Sequence, residues 1–164
     1  MRTATEWFEA YGVSHKHPTN KAIHWICIPV ITWSLLALLQ VLPFPGPQAV
    51  WLHWGTVLAV VAFAFYATLS PTILVGMVMV GTACLALNAW LAAIGAPLVV
   101  LAVAAFVLSW IAQFYGHYLE GEKPSFFEDI QFLLIGPAWL LQDLYRRAGI
   151  PLMEWRRAQA NGPG

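Results

Sequence analysis

The chain has 164 residues, of which 60% are hydrophobic and only 10% are charged. Soluble domains carry about a quarter charged residues, so this composition excludes an ordinary soluble domain and indicates an integral membrane protein. The formal net charge is 0 and the sequence has no basic block. A nucleic-acid partner is therefore not expected, because such partners bind a clustered positive surface.

The first part of the chain predicts a helix and then a break. Residues 1–11 combine polar and aromatic side chains, which is typical of a short helix lying in the headgroup region of a membrane. Pro18 then interrupts the chain, and Thr19 or Asn20 is expected to cap the helix that follows.

Four apolar segments come next, and each is long enough to cross roughly 30 Å of hydrocarbon. They predict transmembrane helices at about 23–42, 49–69, 72–94 and 97–118. The turns between them are short and contain Gly or Pro, so consecutive spans are expected to be antiparallel neighbours. The predicted fold class is all-α, an integral membrane bundle of four transmembrane helices with short interfacial helices at both ends.

Residues 125–148, after the fourth span, contain an apolar run that is too short to cross and includes Gly136 and Pro137. This segment predicts a pair of interfacial or re-entrant helices. Residues 1–150 are thus expected to form a single membrane domain, and residues 151–164 a C-terminal tail.

Lysine and arginine occur only before the first predicted span and after the fourth. The positive-inside rule therefore places both termini in the cytoplasm, at the inner membrane of a bacterium or the endoplasmic reticulum of a eukaryote.

This topology brings four histidines to one membrane surface, namely His15, His17, His24 and His117, whereas His53 falls at the opposite surface. Neutral imidazole binds transition metals well, so the group predicts a metal site. A single interfacial histidine is more often a hydrogen-bonded or snorkelling side chain, and His17 could belong to a solvated turn. His53 is expected to be structural.

Helical spacing adds further polar side chains to this surface. Asn20 and His24 are four residues apart and share a helix face, as do Gln113, His117 and Glu120. The carboxylate of Glu120 could supply an oxygen ligand to the metal.

Two motifs carry these residues, and together they resemble those of the Mpo1-like family, formerly the domain of unknown function DUF962. The first motif, Tyr-x3-His-x2-Pro-x-Asn-x3-His, corresponds to Tyr11, His15, Pro18, Asn20 and His24. The second, Gln-Phe-x-Gly-His followed by Glu and Pro, corresponds to Gln113, Phe114, Gly116, His117, Glu120 and Pro124. The resemblance extends from about residue 11 to residue 147. One departure is the spacing His-x2-Glu, where a yeast member of the family has His-x3-Glu.

The resemblance implies an Fe(II)-dependent dioxygenase that converts 2-hydroxy fatty acids by alpha-oxidation into acids one carbon shorter. It implies iron ligation by the histidines of the two motifs and catalytic roles for Glu120, Asn20 and Tyr11. The ligand histidines would be His15, His24 and His117. The shifted spacing favours a Glu120 that hydrogen-bonds a ligating imidazole over one that binds iron directly. Substrate, dioxygen and membrane lipid would be the partners.

Two other functions remain open from the residues alone. The chain could be a non-catalytic four-span membrane scaffold in which the histidines only anchor helix ends. It could also be a haem-binding membrane protein that uses a histidine pair as axial ligands. Metal content separates the scaffold from the enzyme, and a Soret band would reveal haem.

Overall fold

The computed structural model describes residues 2–46 and 51–154 of the chain. The regular elements in these residues are helices, which confirms the predicted all-α class. The α-helices are α1 (Ala4–Val13), α2 (Pro18–Gln40), α3 (Trp54–Leu69), α4 (Pro71–Ala93), α5 (Leu98–Glu120) and α6 (Phe132–Arg147), with a short 3-10 helix at Ser125–Phe127.

Three of these helices are long and apolar enough to cross a membrane. Helices α2, α4 and α5 have 23 residues each and mean hydropathies of 2.0, 1.9 and 2.2. Helix α3 is equally apolar in character but has only 16 residues, or about 24 Å at 1.5 Å per residue. The chain is therefore a membrane protein by the length and composition of its helices. The predicted start of the second span, at 49–50, lies outside the described residues.

The helices alternate in direction, as the contacts at their ends show. Gly116 near the end of α5 lies against Asn20 at the start of α2, and Ala102 early in α5 packs with Ala37 late in α2, so α2 and α5 are antiparallel. Gly55 at the start of α3 lies against the carbonyl group of Leu36 near the end of α2. Helix α3 therefore runs back toward the start of α2, and α4 and α5 complete an up-down bundle.

Helices α1 and α6 close the end of the bundle at which α2 begins. Ile135 and Ala138 of α6 are fully buried, and the rings of Trp7 and Phe132 meet edge to face at 5.2 Å. The aromatic residues of α1 thus bury against protein, and the position of α1 in the headgroup region stays a prediction.

The predicted helix pair at 125–148 is a 3-10 turn and one continuous helix. Pro137 lies inside α6 without ending it. A proline in a helix removes one main-chain hydrogen bond, yet α6 continues past Pro137, and its neighbours Gly136 and Ala138 are buried. Gly136 has no side chain and so allows α6 to approach Tyr11 and Ile28 closely.

Two histidines cap helices. The Nδ1 atom of His17 accepts a hydrogen bond from the Thr19 amide at 3.2 Å and caps α2, so the expectation that Thr19 or Asn20 is the cap was wrong. Pro18 occupies the first helical position because its fixed φ suits it. His53 caps α3 in the same way, through the amide of Thr56.

The first residues of the predicted C-terminal tail are held on the fold. The carboxylate of Glu154 accepts hydrogen bonds from the amide and the hydroxyl of Thr5 at 2.7 and 2.8 Å, and Glu154 is buried. Residues 155–164 lie outside the described part of the chain.

Candidate metal centre

Three histidines from three elements meet at the closed end of the bundle. His15 lies in the loop between α1 and α2, His24 lies in the second turn of α2, and His117 lies in the last turn of α5. All three are buried, and their ligand nitrogens lie within 4.8 Å of one another. Because α2 and α5 are antiparallel, the start of one and the end of the other bring His24 and His117 together.

Main-chain carbonyl groups set the tautomers of two of these rings. The Nδ1 atom of His15 lies 2.6 Å from the Tyr11 carbonyl oxygen, and the Nδ1 atom of His24 lies 2.9 Å from the Asn20 carbonyl oxygen. A carbonyl oxygen only accepts, so each Nδ1 carries the hydrogen and donates it. Each neutral ring therefore presents its Nε2 lone pair on the opposite side, as metal-ligating histidines do.

The two Nε2 atoms of His15 and His24 lie only 3.0 Å apart. Two lone pairs at this distance cannot form a hydrogen bond with each other, so the arrangement needs a proton or a cation between them. Burial lowers the pKa of His15 to about 4, which disfavours an added proton at neutral pH. A metal cation fits this pair, and three imidazoles suit iron, zinc, copper or nickel.

Tyr11 orients the imidazole ring of His15 through two contacts. Its ring stacks on the imidazole of His15 with centroids 4.0 Å apart and an interplanar angle of 16°, while its carbonyl accepts the Nδ1 hydrogen. Burial raises the pKa of the Tyr11 hydroxyl group above its ordinary value, so this group stays protonated at neutral pH. Trp139 of α6 packs on both rings.

Glu120 holds the loop that carries His15. Its two carboxylate oxygens accept hydrogen bonds from the amides of Lys16 and His17, each at 2.7 Å. One of them also accepts from the Asn20 side chain at 3.1 Å. These bonds go to the loop and to Asn20, whereas the sequence favoured a bond from Glu120 to a ligating imidazole.

Asn20 links the two sequence motifs. Its side-chain amide donates to the Ser14 carbonyl and to Glu120. Its Oδ1 lies so close to Gly116 that a Cβ atom at that position would clash with it. The glycine of the second motif is therefore required by the asparagine of the first. Asn20 is completely buried and supports the histidines without being one of the clustered ligand residues.

A pocket of about 60 Å³ opens beside the histidines. Gln113, which shares a helix face with His117, lines this pocket as well. Apolar residues from α2, α5 and α6 form much of the remaining wall, and Ile28, Trp110 and Phe132 are among them. Sequence reasoning did not single these out, because apolar residues in apolar helices carry no periodic signal that distinguishes a pocket wall from a lipid-facing side.

The other two histidines lie outside the cluster. His17 caps the N-terminus of α2. His53 lies at the opposite end of the bundle, where it caps the N-terminus of α3. The structural role expected of His53 agrees with this position.

The chain matches one family model over residues 1–148, and that model is described as Mpo1-like, a 2-hydroxy-palmitic acid dioxygenase. The match covers most of the 164 residues. A search of curated proteins finds no match, and neither does a search of solved structures. The chain belongs to the Mpo1-like family.

Proposed function

We propose that this member of the Mpo1-like family is an Fe(II)-dependent dioxygenase that converts 2-hydroxy fatty acids into acids one carbon shorter. The observation that carries the proposal is the His15–His24 pair, whose two Nε2 lone pairs face each other at 3.0 Å in a buried site. The family description supplies the substrate class, since it refers to 2-hydroxy-palmitic acid.

The overall reaction balances with dioxygen as the only oxidant. The bond between C1 and C2 of the 2-hydroxy acid breaks, C2 is oxidised from an alcohol to a carboxylic acid, and C1 leaves as carbon dioxide. Dioxygen accepts four electrons, and its atoms are accounted for by the new acid and water. No further reductant is required.

His15, His24 and His117 would hold the iron. When bound, iron would supply the activation of dioxygen and the chelation of the substrate's carboxylate and 2-hydroxyl groups. The residues around it fix its ligands. Tyr11 orients the ring of His15 by stacking, and Glu120 with Asn20 holds the loop in place.

The proposed roles of Tyr11, Asn20 and Glu120 are thus to position the ligands. The walls of the pocket are largely apolar, and a substrate bound between them would displace water from the reacting groups, which strengthens the electrostatic interactions there.

The proposed membrane arrangement has four spans with both termini in the cytoplasm. Helix α3 would be the shortest crossing, and a short span is accommodated by local thinning of the bilayer. The up-down course of the helices supports this arrangement, as does the restriction of lysine and arginine to the two ends of the chain. The iron site would then lie at the cytoplasmic surface, within reach of an amphiphile whose head lies at that depth.

The alternatives fit the geometry less well. A pocket of about 60 Å³ beside the histidines leaves no room for a porphyrin ring. A scaffold in which histidines merely anchor helix ends has no need for two imidazoles with facing lone pairs.

Oxygen uptake by the purified protein tests the proposal. Protein in detergent, loaded anaerobically with Fe(II), is given 2-hydroxypalmitic acid, and the product is identified by mass spectrometry. We expect oxygen consumption with formation of pentadecanoic acid. Palmitic acid is the matched control, because it lacks the 2-hydroxyl group and should not be turned over. Absence of turnover in protein that retains its iron would refute the proposed reaction.

A further inference from the structure

A second cavity, of about 250 Å³, lies inside the bundle beyond the histidine pocket. The two spaces share wall residues from α2, α5 and α6, namely Ile31, Thr32, Trp110, Leu133 and Pro137. They therefore adjoin each other, and the larger one extends away from the histidines between α2, α3, α4 and α5.

One face of α2 and one face of α5 line the whole path. On α2 the wall passes from His24 through Ile28 and Thr32 to Leu36, at steps of four residues. These positions share a helix face. From His24 to Leu36 the path is about 18 Å long at 1.5 Å per residue, a length on the scale of a long acyl chain.

The opposite wall follows α5 in the reverse direction. It passes from His117 through Gln113 and Trp110 to Phe106, at steps of three or four residues. Because α2 and α5 are antiparallel, these two faces look toward each other over the length of the path.

The wall of the larger cavity is apolar and its hydroxyl groups are already bonded. The hydroxyl of Thr32 donates to the Ile28 carbonyl at 2.9 Å, and the hydroxyl of Tyr66 donates to the Leu134 carbonyl at 2.8 Å. A hydroxyl group with an internal partner offers little to a polar ligand. Burial of an alkyl chain suits this surface.

The far end of the cavity is closed by a close helix crossing. A Cβ atom on Gly55 would lie 2.6 Å from the carbonyl oxygen of Leu36, so α3 and α2 touch there without a side chain between them. Ala59, one turn further along α3, is buried and lines the cavity next to this crossing. Its small side chain leaves space for a ligand inside the closed end of the cavity.

We propose that this cavity holds the alkyl chain of the 2-hydroxy fatty acid and that Ala59 limits the chain length that fits. The inference rests on the proposed function for the identity of the polar head, which the histidine pocket would hold. The alkyl chain of the ligand enters the cavity past the shared wall residues and ends near Leu36 and Ala59.

Photo-crosslinking tests the location of the chain without any turnover. A 2-hydroxypalmitic acid with a diazirine at its terminal carbon is bound to the full-length protein and irradiated. Mass spectrometry should find the label on α2 and α3 near Leu36 and Ala59. Labels confined to lipid-facing residues such as Val60 and Val61, which are exposed, would overturn the inference.

The variant Ala59→Leu tests the limit on chain length. Leucine adds the volume of roughly three methylene groups. Each buried methylene of the ligand raises its affinity by a factor of about four. We expect kcat/KM for the longest accepted chain to fall about 60-fold, while chains shorter by several carbons keep theirs. The control is Ala64→Leu, a matched change at an exposed position on α3.

The outcomes separate the two proposals. An unchanged chain-length profile in an active, folded Ala59→Leu protein would refute the acyl cavity and leave the reaction standing. Specific labelling near Ala59 in a wild-type protein that turns nothing over would support the acyl cavity and refute the reaction.

Discussion

Replacement of Glu120 by glutamine tests how the loop that carries His15 is held. The carboxylate accepts from two backbone amides, those of Lys16 and His17, and from the Asn20 side chain. Glutamine keeps one acceptor oxygen but turns an NH2 group toward the other donor. The variant therefore loses the charge and leaves a backbone N–H group without its partner.

The expected loss of free energy follows from this lost hydrogen bond. A hydrogen bond to a charged group contributes about 1.5–3 kcal/mol. Glu120 is only partly buried, so solvent screening places the loss near the lower limit, about 1.5 kcal/mol. Since the loop positions His15, metal affinity should fall about tenfold, the lower end of the effect of residues that support metal ligands.

A competition titration against a chelating metal indicator measures this affinity. The control is Glu122→Gln, which removes the same charge two residues away at an exposed position and should leave the affinity unchanged. Wild-type affinity in Glu120→Gln would show that the loop is held by other contacts. Complete loss of metal, equal to that of a cluster-histidine variant, would show that the carboxylate is itself a ligand.

Three further changes have defined outcomes. Gly116→Ala brings a methyl group against the buried Oδ1 of Asn20 and should lower the free energy of unfolding by about 1–3 kcal/mol. The control Gly12→Ala has open space around it and should not lower it. Equal melting temperatures of the two variants would contradict this reasoning. His53→Ala should lose about 1 kcal/mol of stability with its cap and keep its iron, and loss of iron would place it in the site. Cysteines at Gln48 and Gly162 should be labelled from outside intact cells only at Gln48; the reverse pattern would invert the proposed topology.

Much of the candidate site could be predicted from the sequence because polar residues are so rare in this chain. Three histidines in two polar segments, bracketing a long apolar middle, indicated a shared surface, and the structure brings His15, His24 and His117 together. The spacing of Asn20 and His24 also predicted one shared helix face, and both residues are buried on α2.

The role of Glu120 could not be derived from spacing. The i, i+3 relation to His117 put the carboxylate near an imidazole, but the hydrogen bonds it accepts depend on how the 14–17 loop crosses the end of α5. That crossing is a tertiary contact between segments about a hundred residues apart, and no local pattern encodes it. The cap of α2 was missed for a different, local reason, since the preference of proline for the first helical position places the cap one residue before Pro18, at His17.

The membrane helices show the same division between composition and packing. Hydropathy was sufficient to find α2, α4 and α5. Hydropathy did not reveal that Gly136 and Pro137 lie within one continuous α6. It also did not reveal that α3 and α2 meet at Gly55 and leave a cavity next to this crossing. Both depend on which side chains face one another, and a uniformly apolar helix does not disclose that.

The iron content of the purified protein tests the central claim most directly. Wild-type protein and the His24→Ala variant are loaded anaerobically with Fe(II), freed of excess metal and analysed, with thermal unfolding as the check that each is folded. We predict stoichiometric iron in the wild type and none in folded His24→Ala. Full iron content in His24→Ala, or no iron in the folded wild type, would contradict the assignment of the three histidines as an iron site.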